Sequence, residues 1–565
     1  MHLADPGTSR PTTSSQVTLG PSDNGRDARH GLRRRHAGPD RPGGWTSRLD
    51  AYSVLALGVL VWAVGVAIQH TWTADFLLHV ATVKALARDL LQPPDPMVGV
   101  GFGSPYYSPL IWLMAAVVRV SGLSPTAVFA ALAVGNAALV LWAFRRFCRW
   151  FTPSALGAAL ALLATLFLWG IRPPVWSGFL SFRSLAEVLP YPSTTAFGLM
   201  LLAFDRLLHY WKHRGPGALI VFGLLGATIT LIHSFTGVNT ALGALAVLLA
   251  YTRRWRANDL LRIVAVGAGA LLLVTAWPFA TLGKMLTGAP QFAEIHRLLA
   301  DGMLDPAQLS CAYGLLGLIP LLLRLRDDRR DPLVVMFGLA AVVLVIGFTT
   351  AQYHLLRVVP VALLPLHVAF AAFVTGAGTR PGAGALGEAG TGAVNGSGAG
   401  RGSRRLAAAV ATVILIAGLA VDITPLNGFI GAVPTRLLPG PLRAKTETPS
   451  LSGPSHEYDF IRNYAPEGST ILTDRRPADR HLNWLGYYTV NPGWPDPWLG
   501  DEAARSADRA TVRDAHTEPA ARAAIADRYG VRCLLITHSP AVTGETAVAG
   551  YQRVRTWQGG ALFCR

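Results

Sequence analysis

Long apolar runs broken by short arginine-rich or proline-rich connections dominate the first three quarters of the chain. A bilayer core of about 30 Å needs roughly 20 apolar residues per helix. That measure gives eleven candidate spans, at 51–69, 126–144, 154–171, 193–208, 218–232, 236–251, 263–281, 308–323, 333–349, 356–374 and 406–422. The first run starts too late and is too long for a cleaved signal sequence, so it reads as a retained anchor. The stretch Thr73 to Pro109 follows that anchor and reads differently. It predicts an amphipathic helix to Leu91, then a Pro/Gly loop, then a Tyr106-Tyr107-Ser108-Pro109 entry into a further apolar helix at 108–120. From about Pro425 the composition shifts again. Strands at 469–473 and 533–537, a helix at 518–529 and a closing hairpin at 551–564 predict a small α/β domain. The fold class is therefore a polytopic α-helical membrane protein with a C-terminal α/β domain.

Charge settles the orientation. Arg145/Arg146/Arg149, Arg253/Arg254/Arg256, Arg324/Arg326/Arg329/Arg330 and Arg401/Arg404/Arg405 form four basic connections. All join the basic N-terminal tail on one side if 108–120 does not cross, which makes that segment interfacial or re-entrant. The basic side is expected to be cytoplasmic. An odd number of spans then places residues 425–565 outside the cytoplasm, in a multi-pass protein of the cell membrane. Residues 1–49, rich in Ser, Thr, Pro, Gly and Arg, read as a disordered cytoplasmic tail. Residues 376–403, within the 50–424 membrane module, read as a flexible Gly/Ala/Ser linker.

Of the 565 residues 51% are hydrophobic and 15% charged, and the formal net charge is +17. Soluble domains carry nearer about a quarter charged residues, so most of the chain is written for lipid. The positive excess sits between apolar spans without a recognition motif, which argues against a nucleic-acid partner. Four cysteines are too few for a disulfide scaffold. Cys533 and Cys564 fall on predicted strands, where an exported domain could join them.

The chemistry-bearing residues lie at span ends on the non-basic side. Asp75 is a candidate base for glycosyl transfer, and equally a helix cap. His79 lies one turn along on the same face and could orient Asp75, contact phosphate, ligate a metal or serve structure. The loop 171–192 holds Arg172 and Arg183, suited to phosphate, and Glu187 as a second acid; a solvated loop with an aromatic belt is the alternative. His233 and His354 sit at the ends of spans. Arg357 is a candidate for a carrier phosphate, or snorkels to the interface. Tyr106 and Tyr107 would line the lipid groove. An amphipathic segment at 283–307 reads as a surface helix. The C-terminal domain shows no phosphate loop, dinucleotide turn or metal-ligand spacing, and reads as a binding or scaffolding module.

Asp75 after the first span, the SPYYSPLIWLMAAVVRVSGLSP segment at 104–125, the basic-ended span at Ala143 to Phe147 and the closing α/β domain together resemble the GT-C superfamily of integral-membrane glycosyltransferases. That group includes protein mannosyltransferases, oligosaccharyltransferase subunits and actinobacterial arabinofuranosyltransferases. The resemblance implies a polyprenyl-phosphate sugar donor, an extracytoplasmic glycan, lipid or protein acceptor, and Asp75 as base in an inverting transfer. Members often carry paired acids at this site, with a divalent metal (Mg or Mn) as candidate cofactor. Here Phe76 follows Asp75, so the pair is missing and the metal stays open. A lipid or sugar transporter and a non-catalytic membrane scaffold are the competing classes. No internal repeat supports the transporter, while the missing second acid favours the scaffold.

Overall fold

The breaks between the apolar helices are set by side-chain caps. Asp50 accepts the Ser53 amide (2.9 Å) at the start of α1 (Ala51–Gln69). Ser108 and Ser124, each followed by proline at the first helical position, open α3 (Pro109–Ser121) and α4 (Pro125–Cys148). Gly122, left-handed at φ 71°, ends α3. The computed structural model describes residues 50–70, 72, 75–101, 103–170, 173–279, 293–305, 310–376, 457–496, 498–537, 547–557 and 560–565. The tail 1–49, Arg172, residues 377–403 of the linker and the span at 406–422 lie outside the described residues.

Among the described residues five helices are long and apolar enough to cross a membrane: α1, α4, α10 (Ala257–Thr275), α13 (Pro332–Thr349) and the segment Tyr353–Val374. Four apolar helices are shorter: α3, α5 (Ala155–Phe167), α8 (Pro216–Ile232) and α9 (Ser234–Ala250). At 13 residues and about 1.5 Å per residue, α3 is too short to cross, as the 108–120 reading required. Burial ranks the others. The window of Tyr353–Val374 is 94% buried and that of α10 is 11% buried, so the former is the core of the bundle and the latter lies on its flank.

Several expected spans differ: 154–171 is the 13-residue α5, no longer than α3, and 263–281 is α10, which starts and ends six residues earlier. The segment at 308–323 is not one helix, because a 3-10 turn at Ala312–Gly317 gives way to the ten-residue α12 (Leu318–Asp327). Gly317 there abuts the Leu366 backbone so closely that an added Cβ would lie 2.2 Å from its carbonyl oxygen. This close approach to α14 (Val359–Val374) replaces straight helical packing. The span at 193–208 is instead α7 (Pro192–His213), 22 residues long. It continues past the charges because buried Asp205 is neutralised by Arg146 (3.0 Å) and Arg206 (2.5 Å), with a hydrogen bond from Trp150.

Further ion pairs tie the arginine-bearing helix ends together. Arg145 pairs with Asp50, Arg214 with Asp259 (2.6 Å), and Arg324 with Asp331 (2.6 Å). Tyr191 begins α7 and His233 ends α8, while Asp75 precedes α2 and Arg357 lies in the 3-10 turn after α13.

The C-terminal region forms a five-stranded sheet in the order β2-β1-β3-β5-β4. Its strands are β1 (Thr470–Thr473), β2 (Tyr488–Thr489), β3 (Cys533–Ile536), β4 (Gln552–Trp557) and β5 (Gly560–Cys564). The first three pair in parallel; β3, β5 and β4 pair antiparallel. Cys533 and Cys564 face each other in register and are disulfide-bonded. The helices α15 (Arg476–Leu485), α16 (Glu502–Arg513) and α17 (Pro519–Arg528) accompany the sheet. Helix α15 packs on α2 (Phe76–Arg88), the helix that follows Asp75. The Met97 carbonyl, in the loop after α2, accepts the Thr489 amide (2.8 Å) and Asn483 Nδ2 (2.9 Å). Gly99, at φ 71°, passes under the Tyr488 ring, where any side chain would collide. The sheet domain is thereby fastened to α2, whose first turn follows Asp75, and to the loop after it.

Candidate active site

Asp75 stands immediately before α2 with helical backbone angles and makes no side-chain cap hydrogen bond. The capping reading fails because the carboxylate is used elsewhere. Its Oδ1 accepts the indole N–H of Trp494 at 3.0 Å, across 419 positions of sequence. Trp494 is buried among Leu77, Leu78, Met97 and Val98. The Arg480 guanidinium lies over its ring at 5.0 Å, held by a bond from Nε to the Gly493 carbonyl (3.0 Å).

One turn into α2, the His79 ring meets Tyr191 edge-on at 4.9 Å and lies 6.4 Å from Phe129. Its Nδ1 is buried without a hydrogen-bond partner. Desolvation pushes the imidazole down to about 4, against the opposing pull of the Asp75 charge. His79 is therefore neutral at physiological pH.

Beyond it lies an arginine held by aromatic rings. His233 fills the break between α8 and α9, with Nδ1 2.8 Å from the Thr236 hydroxyl. Its Nε2 is 3.3 Å from both Ser177 Oγ and Arg357 Nη2. Arg357 lies in the 3-10 turn Tyr353–Val358 and is 6% exposed. Its Nη2 donates to the Ser177 carbonyl at 2.7 Å, and its own carbonyl accepts Asn239 Nδ2 at 3.0 Å. The guanidinium sits 4.7 Å from the Phe235 ring centre and 5.7 Å from that of Trp176. Among the described residues it forms no salt bridge, and the carboxylate acting on it is that of Asp75. With no acid in salt-bridge contact among the described residues, a cation so buried can take up an anion.

The other sequence candidates separate. Tyr106 faces the Trp494 cluster. Burial and the charges of Asp75, Asp496, Asp95 and Glu502 all push its phenol up. Tyr107 serves structure: its hydroxyl donates to the Pro94 carbonyl and its carbonyl accepts Trp277 Nε1 (2.7 Å). Glu187 and Arg183 lie partly buried on α6 (Phe182–Val188), and the Glu187 charge reaches Tyr191. His354 shares the turn of Arg357, with Nδ1 buried and unpartnered. The surface segment at 283–307 is described as α11 (Ala293–Leu304), whose His296 ring packs on Trp176 (5.6 Å) and Phe235 (5.3 Å).

Sequence reasoning passed over Trp494, Arg480 and a buried acid pair, Asp95 with Asp496. Burial first, then the Asp496 charge and a hydrogen bond between the two carboxyls, raise Asp95 well above the carboxylate range. Asp95 also caps the Met97 and Val98 amides at 2.8 Å each. The one signal available was the run Asn491-Pro492-Gly493-Trp494-Pro495-Asp496, which is too proline-rich and aromatic for an ordinary surface turn.

No family model matches the sequence, and no curated protein matches it. Solved structures do match. The cryo-EM structure of the arabinofuranosyltransferase AftD from mycobacteria aligns with 92% of this chain at 14% identity and a TM-score of 0.50. The chain spans 40% of that protein's length. The chain has the GT-C fold. Oligosaccharyltransferases from Archaeoglobus fulgidus also match, with lower scores. A complex with Zn and sulfate aligns with 86% of this chain and 68% of its own, at 11% identity and a TM-score of 0.47. A complex of AglB with an inhibitory peptide and a dolichol-phosphate covers 85% and 69%, at 12% identity and a TM-score of 0.41.

A divalent metal is the cofactor the GT-C resemblance suggests, and the residues present do not fit one. Such ions want several hard oxygens converging on one point. Asp75 is a single carboxylate with one oxygen engaged by an indole. Among the described residues no three His, Cys, Asp or Glu side chains come together.

Proposed function

We propose that this protein is a membrane glycosyltransferase that moves a sugar from a polyprenyl-phosphate carrier to an acceptor hydroxyl outside the cytoplasm. The observation that carries this reading is that the charge of Asp75 reaches Arg357. The carboxylate is half-buried, while the guanidinium is buried and, among the described residues, has no acid in salt-bridge contact. The disulfide between Cys533 and Cys564 supports an oxidising compartment for the sheet domain, and hence for this end of the bundle.

In the transfer, the acceptor oxygen attacks the anomeric carbon as the bond from that carbon to the phosphate oxygen breaks. Asp75 takes the hydroxyl proton. The carrier phosphate departs with the electron pair and keeps its charge against Arg357, whose guanidinium is held in place by the Ser177 carbonyl, Phe235 and Trp176. Phe235 and Trp176 exclude water from the guanidinium, which strengthens that interaction. A single displacement inverts the anomeric centre. His79, one turn into α2 from Asp75, packs its desolvated imidazole against Tyr191.

The test uses the purified full chain with polyprenyl-phosphate lipids extracted from its host membrane and delipidated host envelope glycan. Sugar should pass to the glycan as free carrier phosphate appears, and a host lacking the gene should accumulate the charged lipid. Carrier lipid that stays charged in the complete reaction, with no accumulation in the deleted host, would refute the reading.

A further inference from the structure

The C-terminal domain reaches the candidate base directly, through one rigid loop. Trp494 hydrogen-bonds Asp75 Oδ1 at 3.0 Å, and two residues on, Asp496 meets Asp95 of the loop after α2. The indole cannot drift. It is 6% exposed, wedged among Leu77, Leu78, Met97 and Val98, and covered by Arg480. Pro492 and Pro495 flank it and restrict the backbone on both sides. Asp75 itself has no comparable restraint from its own helix, since its side chain caps nothing.

We infer that Trp494 is a positioning residue: its indole N–H fixes the rotamer of Asp75, so that Oδ2 faces the acceptor hydroxyl. This rests on the reading of Asp75 as base. The bundle alone then holds an incomplete site, and the sheet domain is part of the active centre rather than an appended module. Losing the N–H should lower turnover and leave binding intact, because no substrate contact is removed. A carboxylate hydrogen bond is strong enough for its loss to cost about tenfold to a hundredfold in rate.

Three variants of the full chain, assayed with the same host carrier-lipid extract and envelope glycan, separate the possibilities. Trp494→Phe keeps an aromatic ring and removes the donor. Replacement of Trp494 by 3-benzothienylalanine keeps the bicyclic shape and exchanges only N–H for sulfur, so folding is preserved even if the smaller ring of W494F is not tolerated. Asp75→Asn tests the base itself. The expected result is a fall in kcat of about tenfold or more in both Trp494 variants, with the KM for each substrate within about twofold and the Tm of the benzothienyl protein unchanged. Wild-type kcat in the benzothienyl protein while Asp75→Asn is inactive would overturn the positioning role and leave the base in place. Full activity of Asp75→Asn would overturn both.

Discussion

Arg357 Nη2 lies 3.3 Å from His233 Nε2 and 2.7 Å from the Ser177 carbonyl, and among the described residues no acid pairs with it. On its other side the His233 ring accepts the Thr236 amide at Nδ1 (3.3 Å), which lies 2.8 Å from the Thr236 hydroxyl, so the imidazole ties Arg357 to the first turn of α9. A buried arginine in this setting costs stability, and the proposed phosphate contact is what it would be retained for.

Arg357→Gln is therefore expected to raise the KM for the carrier lipid and lower kcat/KM by about 10- to 100-fold, roughly 1.4–2.8 kcal/mol of lost phosphate stabilisation. Its thermal midpoint should be equal to or above the wild type. Arg357→Lys should rescue little, because an ammonium cannot span the Ser177 carbonyl and a phosphate in the same plane. Steady-state kinetics together with thermal denaturation check both.

His79 gives an acid-side prediction. Its folded value is depressed from 6.5 to about 4, so its neutral form contributes stability that is complete above about pH 6.5 and is lost as pH falls toward 4. Wild-type Tm should drop across that window by more than that of His79→Gln, which has nothing to titrate. Equal slopes would show that the imidazole is not desolvated between Tyr191 and Phe129.

The Asp95 and Asp496 pair has the opposite sign. Asp95 is raised in the folded protein, so its contribution is complete below about pH 3.8 and is lost as pH rises through the folded value. The charges and hydroxyls facing it include Asp496, Tyr106, Tyr107 and Tyr488. Asp95→Asn keeps a hydrogen bond and removes the repulsion. It should protect the junction between the sheet domain and the loop after α2 at pH 8, read as slower proteolysis after Arg88 than in the wild type.

Much of the membrane module was legible because its physics is local. Asp75, His79, His233 and Arg357 stood out as polar residues at the ends of apolar runs, where burial is costly, and the structure gathers all four at one end of the bundle. The Ser108-Pro109 pair marked the start of α3, because a serine cap followed by proline is a local signal. What could not be read was long-range. Trp494 gains its meaning from a partner 419 positions earlier, and nothing in its own neighbourhood distinguishes a donor to Asp75 from a core indole. The end of α7 was likewise set by Arg146, from another helix, neutralising Asp205. The break inside 308–323 depended on the contact of Gly317 with Leu366.

Reduction offers a further check on the sheet. The disulfide joins β3 to β5 across 31 residues. Replacing both cysteines by serine should lower the stability of the sheet domain by about 2–4 kcal/mol. Because that domain holds Trp494, transfer activity should fall at temperatures where the wild type is still folded. Thermal inactivation of the two proteins measures this.

The most direct measurement is sugar transfer by Asp75→Asn in membranes supplied with the host's charged carrier lipid. Asparagine keeps the acceptor for the Trp494 indole and cannot take a proton. A fall of about 10²- to 10⁴-fold in kcat with carrier binding retained is the predicted result. Undiminished transfer would contradict the assignment of Asp75 as the base.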